Sequence, residues 1–194
     1  RELAPFAGRD VVDVGCGDGF PLPVFAAEAA SVVGVEPYRP LVERARARGL
    51  DVREGSAERL PLPDSSVDVV HARTAYFFGP GCEPGIAEAE RVLRPGGVLA
   101  IVDLDATVPP YGDWMRADLP RYDPAAVERF FARQGFTMRR IRTRWRFPDR
   151  ITAEAVLRIE FSAATADRAL GEFTGLELPV GYRLHVRRSG LHLR

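Results

Sequence analysis

Short apolar runs alternate with amphipathic segments through most of the chain. Residues 10–15, DVVDVG, form a compact β-branched run that predicts a buried strand. Residues 31–36 (SVVGVE), 50–55 (LDVREG), 67–72 (VDVVHA) and 97–104 (GVLAIVDL) predict four more. Between them lie helical patterns. Residues 21–30 tolerate Pro21 in a first turn. Residues 39–49 place Leu41, Val42 and Ala45 on one face and stop at Gly49. Residues 83–97 end at Pro95-Gly96-Gly97. Such βαβα alternation implies a parallel sheet with helices on both faces. The last third reads differently. A helix over 123–135 opens with Asp123 as N-cap and Pro124 behind it. An alternating strand covers 136–147, mostly helical sequence covers 152–173, and a last strand covers 178–188. Two strands separated by helix suit an antiparallel pair at one edge of the sheet.

Composition narrows the class. The chain has 194 residues, 46% of them hydrophobic, which suits one well-buried domain over 1–194. Its formal net charge is zero, so no overall field draws it to nucleic acid or an anionic membrane. No apolar run approaches the roughly 20 residues that span a bilayer, and RELAPFAGRD at the start lacks the apolar stretch of a secretion signal. Two cysteines, Cys16 and Cys82, stand without metal-ligand spacing, so neither a disulfide framework nor a metal site is expected and a reducing cytoplasm fits. All 27 basic residues are arginine, the mark of a coding bias rather than of a demand for guanidinium groups.

The chemistry starts at VVDVGCGDGF, residues 11–20. Gly15, Gly17 and Gly19 follow the first strand at every second position. A strand running into a glycine turn and a helix start offers backbone N–H groups with no Cβ in the way. In open α/β sheets, ligands bind at the carboxyl ends of strands where strand order reverses. About 20 residues onward a strand-end carboxylate should hold ribose hydroxyls, and Glu36 fills that place. The dinucleotide fingerprint needs a glycine where Phe20 stands. A ribose and adenine without a pyrophosphate fit better, which points to S-adenosyl-L-methionine. Asp13 would help hold its ammonium group, directly or through water.

Together, VVDVGCGDG, VVGVEP, REGSAERLPLPDSSVDVVHAR and EAERVLRPGGVLAIVD resemble the ordered motifs of class I S-adenosylmethionine-dependent methyltransferases, over residues 8–105. The resemblance, of the methyltransferase type 11-like kind with small-molecule acceptors, implies a Rossmann-like seven-stranded sheet, mostly parallel with an antiparallel last strand. Residues 106–194 then carry the substrate side and the edge strands. It implies that Gly15, Cys16 (through its backbone) and Gly17 line the methionine part, and that Glu36 takes the ribose diol. Pro37 and Tyr38 would flank the adenine, with Ser56, Ala57 and Glu58 in the adenine loop. Ala72 and Arg73 would approach from the other side. Relatives often carry Asp where Ser56 stands; a hydroxyl accepts there without the charge. The expected product is S-adenosyl-L-homocysteine.

No catalytic constellation is needed when the nucleophile carries no proton to lose, so the candidates for a base stay few: His71, Asp103, Asp105 and Tyr122. His185 and His192 receive no role. Tyr76, Phe77 and Phe78 offer an apolar wall, and an aromatic face would favour a sulfonium. The Pro-rich stretch with Tyr111, Trp114 and Tyr122 is expected beside the acceptor pocket. Relatives often carry helices before the first strand that close over the site; here that strand begins near Asp10, so the site is expected to be open. The leading acceptor class is a small molecule. RNA or protein is the alternative, because Arg140, Arg142, Arg144 and Arg146 share one strand face. A degenerate binding domain and an NAD-dependent enzyme are further alternatives.

Overall fold

The computed structural model describes residues 4–76 and 79–190. Seven strands form one sheet in the order β3-β2-β1-β4-β5-β7-β6. β1 (Asp10–Val14), β2 (Ser31–Glu36), β3 (Val52–Glu54), β4 (Val67–Arg73) and β5 (Leu93–Leu104) run parallel. β7 (Glu177–Arg188) lies antiparallel between β5 and β6 (Thr137–Arg146). The sheet is thus the mostly parallel one implied above, with its antiparallel strands at one side. Strand order reverses between β1 and β4, because β1 connects outward to β2 while β4 continues the other way. The carboxyl ends of these strands therefore open a crevice.

Alternation along the strands feeds two faces. Val12, Val14, Val70, Ala72, Leu99 and Ile101 share a core with α3 (Glu83–Val92) and α5 (Pro124–Arg133), through Ile86, Ala89, Val127 and Phe131. On the other face Val11 and Val69 meet Phe6 and Phe25. Alongside them, Leu22 of α1 (Leu22–Ala26) and Val42 and Ala45 of α2 (Arg39–Ala47) cover Cys16 and Val52. Each buried Val or Leu contributes roughly 1.5–3 kcal/mol, so these faces leave little freedom of register. A separate core joins α4 (Tyr111–Asp118), α6 (Arg150–Glu160) and α7 (Ala163–Glu172) beyond the ends of β5, β6 and β7.

Five features differ from the sequence reading. α1 ends at Ala26 rather than near residue 30. α3 ends at Val92, because Leu93 takes an extended conformation and already pairs with Val67. The strand β5 so begins four residues before the expected 97, and Asp103 lies inside it. The helical stretch over 152–173 is broken at Phe161 and Ser162. Both are extended there, and Asp118 accepts the Ser162 N–H at 3.0 Å as well as the Ser162 and Thr165 hydroxyls. Finally, α4 occupies part of the Pro-rich stretch, with Tyr111, Trp114 and Met115 buried on one face.

Candidate functional site

A cavity of about 350 Å³ opens where β1, β2 and β4 end, lined by Val14, Gly15, Glu36, Pro37, Ser56, Ala57, Glu58, Arg73, Thr74 and Ala75. β1 leads directly into the glycine turn. Gly15 has φ of 71°, and a Cβ there would stand 3.0 Å from the Ala75 Cβ. A side chain at Gly15 would therefore be strained and would crowd the loop after β4. Gly17 also has a positive φ, 59°, with open space in front of it.

Glu36 ends β2 and is 7% exposed. One carboxylate oxygen accepts the Gly17 N–H at 3.0 Å and the other accepts the Tyr38 N–H at 3.0 Å. The pair of bonds fixes the carboxylate between the glycine turn and the start of α2. Each oxygen keeps a further lone pair, the pattern that a vicinal diol needs. These residues fit the nucleoside cofactor that the sequence implies: a cradle without Cβ atoms, an anchored carboxylate, and the Ser56–Glu58 loop across from it.

Seven of the twelve expected cofactor residues line this cavity: Gly15, Glu36, Pro37, Ser56, Ala57, Glu58 and Arg73. Gly17 joins them through its N–H on Glu36. The other four lie off its walls. The Asp13 side chain points into the sheet face covered by α1, where it accepts from His71 Nδ1 at 2.6 Å; its second oxygen is buried with no partner among the described residues. The Cys16 thiol turns away towards Gly34 and Leu22, and burial with nearby Asp13 and Glu36 pushes it up to about 12. Tyr38 is 61% exposed. Ala72 is packed inside the core between β4 and α3. Sequence reasoning missed Val14, Thr74 and Ala75; the left-handed φ of 56° at Thr74 is not legible in a β-branched residue.

Three of the four candidates for a base are hydrogen-bonded within the protein, and both Asp103 oxygens are buried with no partner among the described residues. His71 contacts the Phe25 ring as well as Asp13. Asp103 is wholly buried opposite Arg183, and burial raises its carboxyl to about 7 against the pull of Arg183. Asp105 is held below its ordinary value: burial acts upward, but the Thr107 hydroxyl and N–H and the Arg140 guanidinium outweigh it. The Tyr122 hydroxyl accepts from Arg183. Phe77 and Phe78 lie outside the described residues, as does His192; Tyr76 is buried, its hydroxyl donating to Gly85 O at 3.2 Å.

A second cavity, of about 330 Å³, shares Arg73 and Thr74 with the first. Leu104 at the end of β5, Tyr111, Met115, Asp118 and Leu119 of the α4 region, Trp145, Tyr182, and Glu160 and Phe161 at the end of α6 complete it. Of the Pro-rich aromatics, Tyr111 is in this wall. Trp114 is core, its Nε1 donating to Glu172 at 2.6 Å, and Tyr122 lines a different hollow with Pro80 and Val127. Residues 106–194 were expected on the substrate side, but no residue of α6, β6 or β7 was singled out for such a cavity, because their places depend on how the last third folds back over β5.

Comparison with known proteins agrees with this geometry. Residues 12–101 match the family model described as a methyltransferase domain. The chain is 38% identical over 124 residues to the 27-O-demethylrifamycin SV methyltransferase of Amycolatopsis mediterranei, covering 59% of this chain and 45% of that protein. It is 36% identical over 100 residues to the ubiquinone/menaquinone biosynthesis C-methyltransferase UbiE of Rubrivivax gelatinosus, covering 50% and 40%. The matches therefore span less than half of these relatives' length. Among solved structures, the YcgJ protein of Bacillus subtilis superimposes with a TM-score of 0.65 over 97% of this chain and 94% of its own, at 20% identity. The glycine turn, the anchored Glu36 and the reversed strand order lie within or beside the matched segment, so residues 12–101 carry a methyltransferase domain.

Proposed function

We propose that this chain binds S-adenosylmethionine in the cavity at the ends of β1, β2 and β4 and serves methyl transfer to a small-molecule acceptor in the adjoining one. The observation that carries the reading is Glu36, buried and fixed by two backbone N–H groups at the edge of a glycine cradle. When bound, the cofactor supplies a methyl group on a sulfonium, which an acceptor lone pair attacks in line while the S–C bonding pair stays on sulfur. The chain's part is to place the two molecules. Glu36 holds the ribose hydroxyls, the Gly15 turn admits the amino-acid portion, and Ser56–Glu58 bound the adenine side. Arg73 and Thr74 stand where the two cavities meet, so groups held on either side of them face each other. The small-molecule class is supported by a concave second cavity with aromatic walls. The arginines that favoured a nucleic-acid or protein acceptor are largely paired: Arg140 with Asp105 and Glu128, Arg144 and Arg146 with Glu177.

Calorimetric titration with S-adenosylhomocysteine, with NAD as control, tests the reading on the wild type and on Glu36→Ala. The homocysteine product should bind and NAD should not, and the variant should lose about tenfold or more, the weight of hydrogen bonds to a charged group. Binding that is indifferent to Glu36, or a preference for NAD, would sink the proposal.

A further inference from the structure

The second cavity has a direction. Its contacts run from Arg73 to Tyr182, then to Trp145, Tyr111 and Glu160. The Arg73 guanidinium lies 5.8 Å from the Tyr182 ring centroid, and its Nη2 is 3.5 Å from the Tyr182 hydroxyl. Trp145 Nε1 donates to the same hydroxyl at 2.9 Å. The Trp145 and Tyr111 rings meet edge to face at 5.1 Å, and the Tyr111 hydroxyl donates to Glu160 at 2.6 Å. The end next to the cofactor cavity is therefore electropositive, the middle is aromatic, and the far rim is acidic.

Two features make the near end a recognition site. The Tyr182 oxygen faces two donors, so its own O–H is turned away from both and is available to a ligand. Among the described residues Arg73 has no carboxylate partner, and its exposed fork faces both cavities. The backbone spends conformational energy to keep it there. Thr74, β-branched, sits at φ 56°, held by its N–H on Val102 O at 2.8 Å and its hydroxyl on Arg73 O at 2.7 Å. Strain of this kind persists where it serves placement.

We infer that the acceptor is a planar aromatic hydroxyl, bound as its phenolate with the oxygen between the Arg73 guanidinium and the Tyr182 O–H and the ring among Tyr111, Trp145 and Phe161. The inference rests on the cofactor reading for its place beside the reacting methyl group and deepens it by naming the acceptor's chemistry. An ammonium is disfavoured at this end, because Arg73 repels it. An aliphatic alcohol does not ionise near neutral pH and so gains nothing from the guanidinium. The phenol proton leaves to solvent, because the two carboxylates of the cavity, Asp118 and Glu160, stand at its far rim and not beside Arg73. Tyr111 is not one: burial and Glu160 hold its hydroxyl protonated. Glu160 and Asp118 at the far rim turn away acceptors with a second anionic group there.

The probes are 7-hydroxycoumarin, which ionises near neutrality and absorbs differently as phenolate, 7-aminocoumarin and 7-methoxycoumarin. Each is titrated with and without S-adenosylhomocysteine, across pH 6 to 9. The phenolate should bind about tenfold more tightly than the neutral phenol, read from the absorption of the bound probe. Arg73→Met and Tyr182→Phe should each remove most of that preference while circular dichroism shows an intact fold. No phenolate preference, or equal binding of 7-aminocoumarin, overturns the inference, as does failure of all three coumarins to bind. Failure of S-adenosylhomocysteine alone overturns the cofactor reading, and the titrations without it still judge the cavity.

Discussion

Gly15 and Glu36 shape the proposed cofactor cleft by different means, one by what it lacks and one by how it is held. A methyl group at Gly15 meets two costs. The left-handed backbone disfavours any L side chain by about 1–2 kcal/mol, and the Ala75 Cβ stands 3.0 Å away. Gly96 has a comparable φ of 79° with nothing within 4 Å of its Cβ position. By urea denaturation, Gly15→Ala should therefore lose more stability than Gly96→Ala, which should lose about 1–2 kcal/mol. Only the first should also weaken S-adenosylhomocysteine, because crowding of Ala75 deforms the cavity wall. Equal affinity in the two variants would mean that the turn does not face the ligand. The residues legible in advance were those fixed by the main chain: the glycines after β1 and the carboxylate ending β2. Asp13 was misplaced because period-2 alternation sets its side chain on the α1 face, against His71, one step away from the cavity.

At the scale of elements, β1, β2, β4 and β5 could be read in the sequence because each holds a short apolar run bounded by glycine, proline or a charged turn. The boundaries that moved did so for tertiary reasons. α3 stops at Val92 because Leu93 is claimed by the sheet, and no local signal at Leu93 outranks Pro95-Gly96-Gly97. The break between α6 and α7 is held by Asp118, 44 residues earlier in the chain, which no local signal reveals. That carboxylate takes two hydroxyls and one N–H, and they hold it below its ordinary value, the Ser162 hydroxyl foremost. It thereby ties the end of α4 to the start of α7 and sets the acidic rim of the second cavity. Asp118→Ala should cost about 2 kcal/mol, the scale of a lost helix cap with its accessory bond. A fall in Tm of about 5 °C follows for a chain of this size. Asp118→Asn, which keeps an acceptor oxygen, should recover part of it. If both variants melt with the wild type, the α6–α7 break is set by Ser162 alone.

Across the whole molecule, the junction between the parallel and antiparallel parts of the sheet is where charge has been buried. Register sets Arg183 of β7 beside Asp103 of β5 on one side and Arg140 of β6 on the other. The like-charged pair is offset by Asp105 and Glu128, which bind Arg140. Two groups at this seam titrate out of place. Asp103 is raised to about 7, chiefly by burial. His185, stacked on Phe131 with its ring nitrogens unpartnered among the described residues, is lowered to about 4, by burial first and then by Arg183 and Arg140. The signs oppose. Folding raises the affinity of Asp103 for its proton, so its contribution is full at low pH and is lost as pH climbs from about 4 to about 7. Folding lowers the affinity of His185, so its contribution is full above about 6.5 and is lost as pH falls towards 4. Between pH 5 and 6.5, where ordinary carboxylates are already ionised in the unfolded chain, the two slopes cancel. Removing one exposes the other. Asp103→Asn, whose amide cannot ionise, should gain about 2 kcal/mol of unfolding free energy between pH 5 and 6.5, one proton's slope over that interval. The wild type should stay nearly flat. His185→Gln should show the reverse, falling by a similar amount as pH rises. Urea denaturation at half-unit steps of pH reads all three. A wild-type curve that climbs as steeply as that of Asp103→Asn would show that Asp103 keeps its charge in the folded protein, compensated by Arg183.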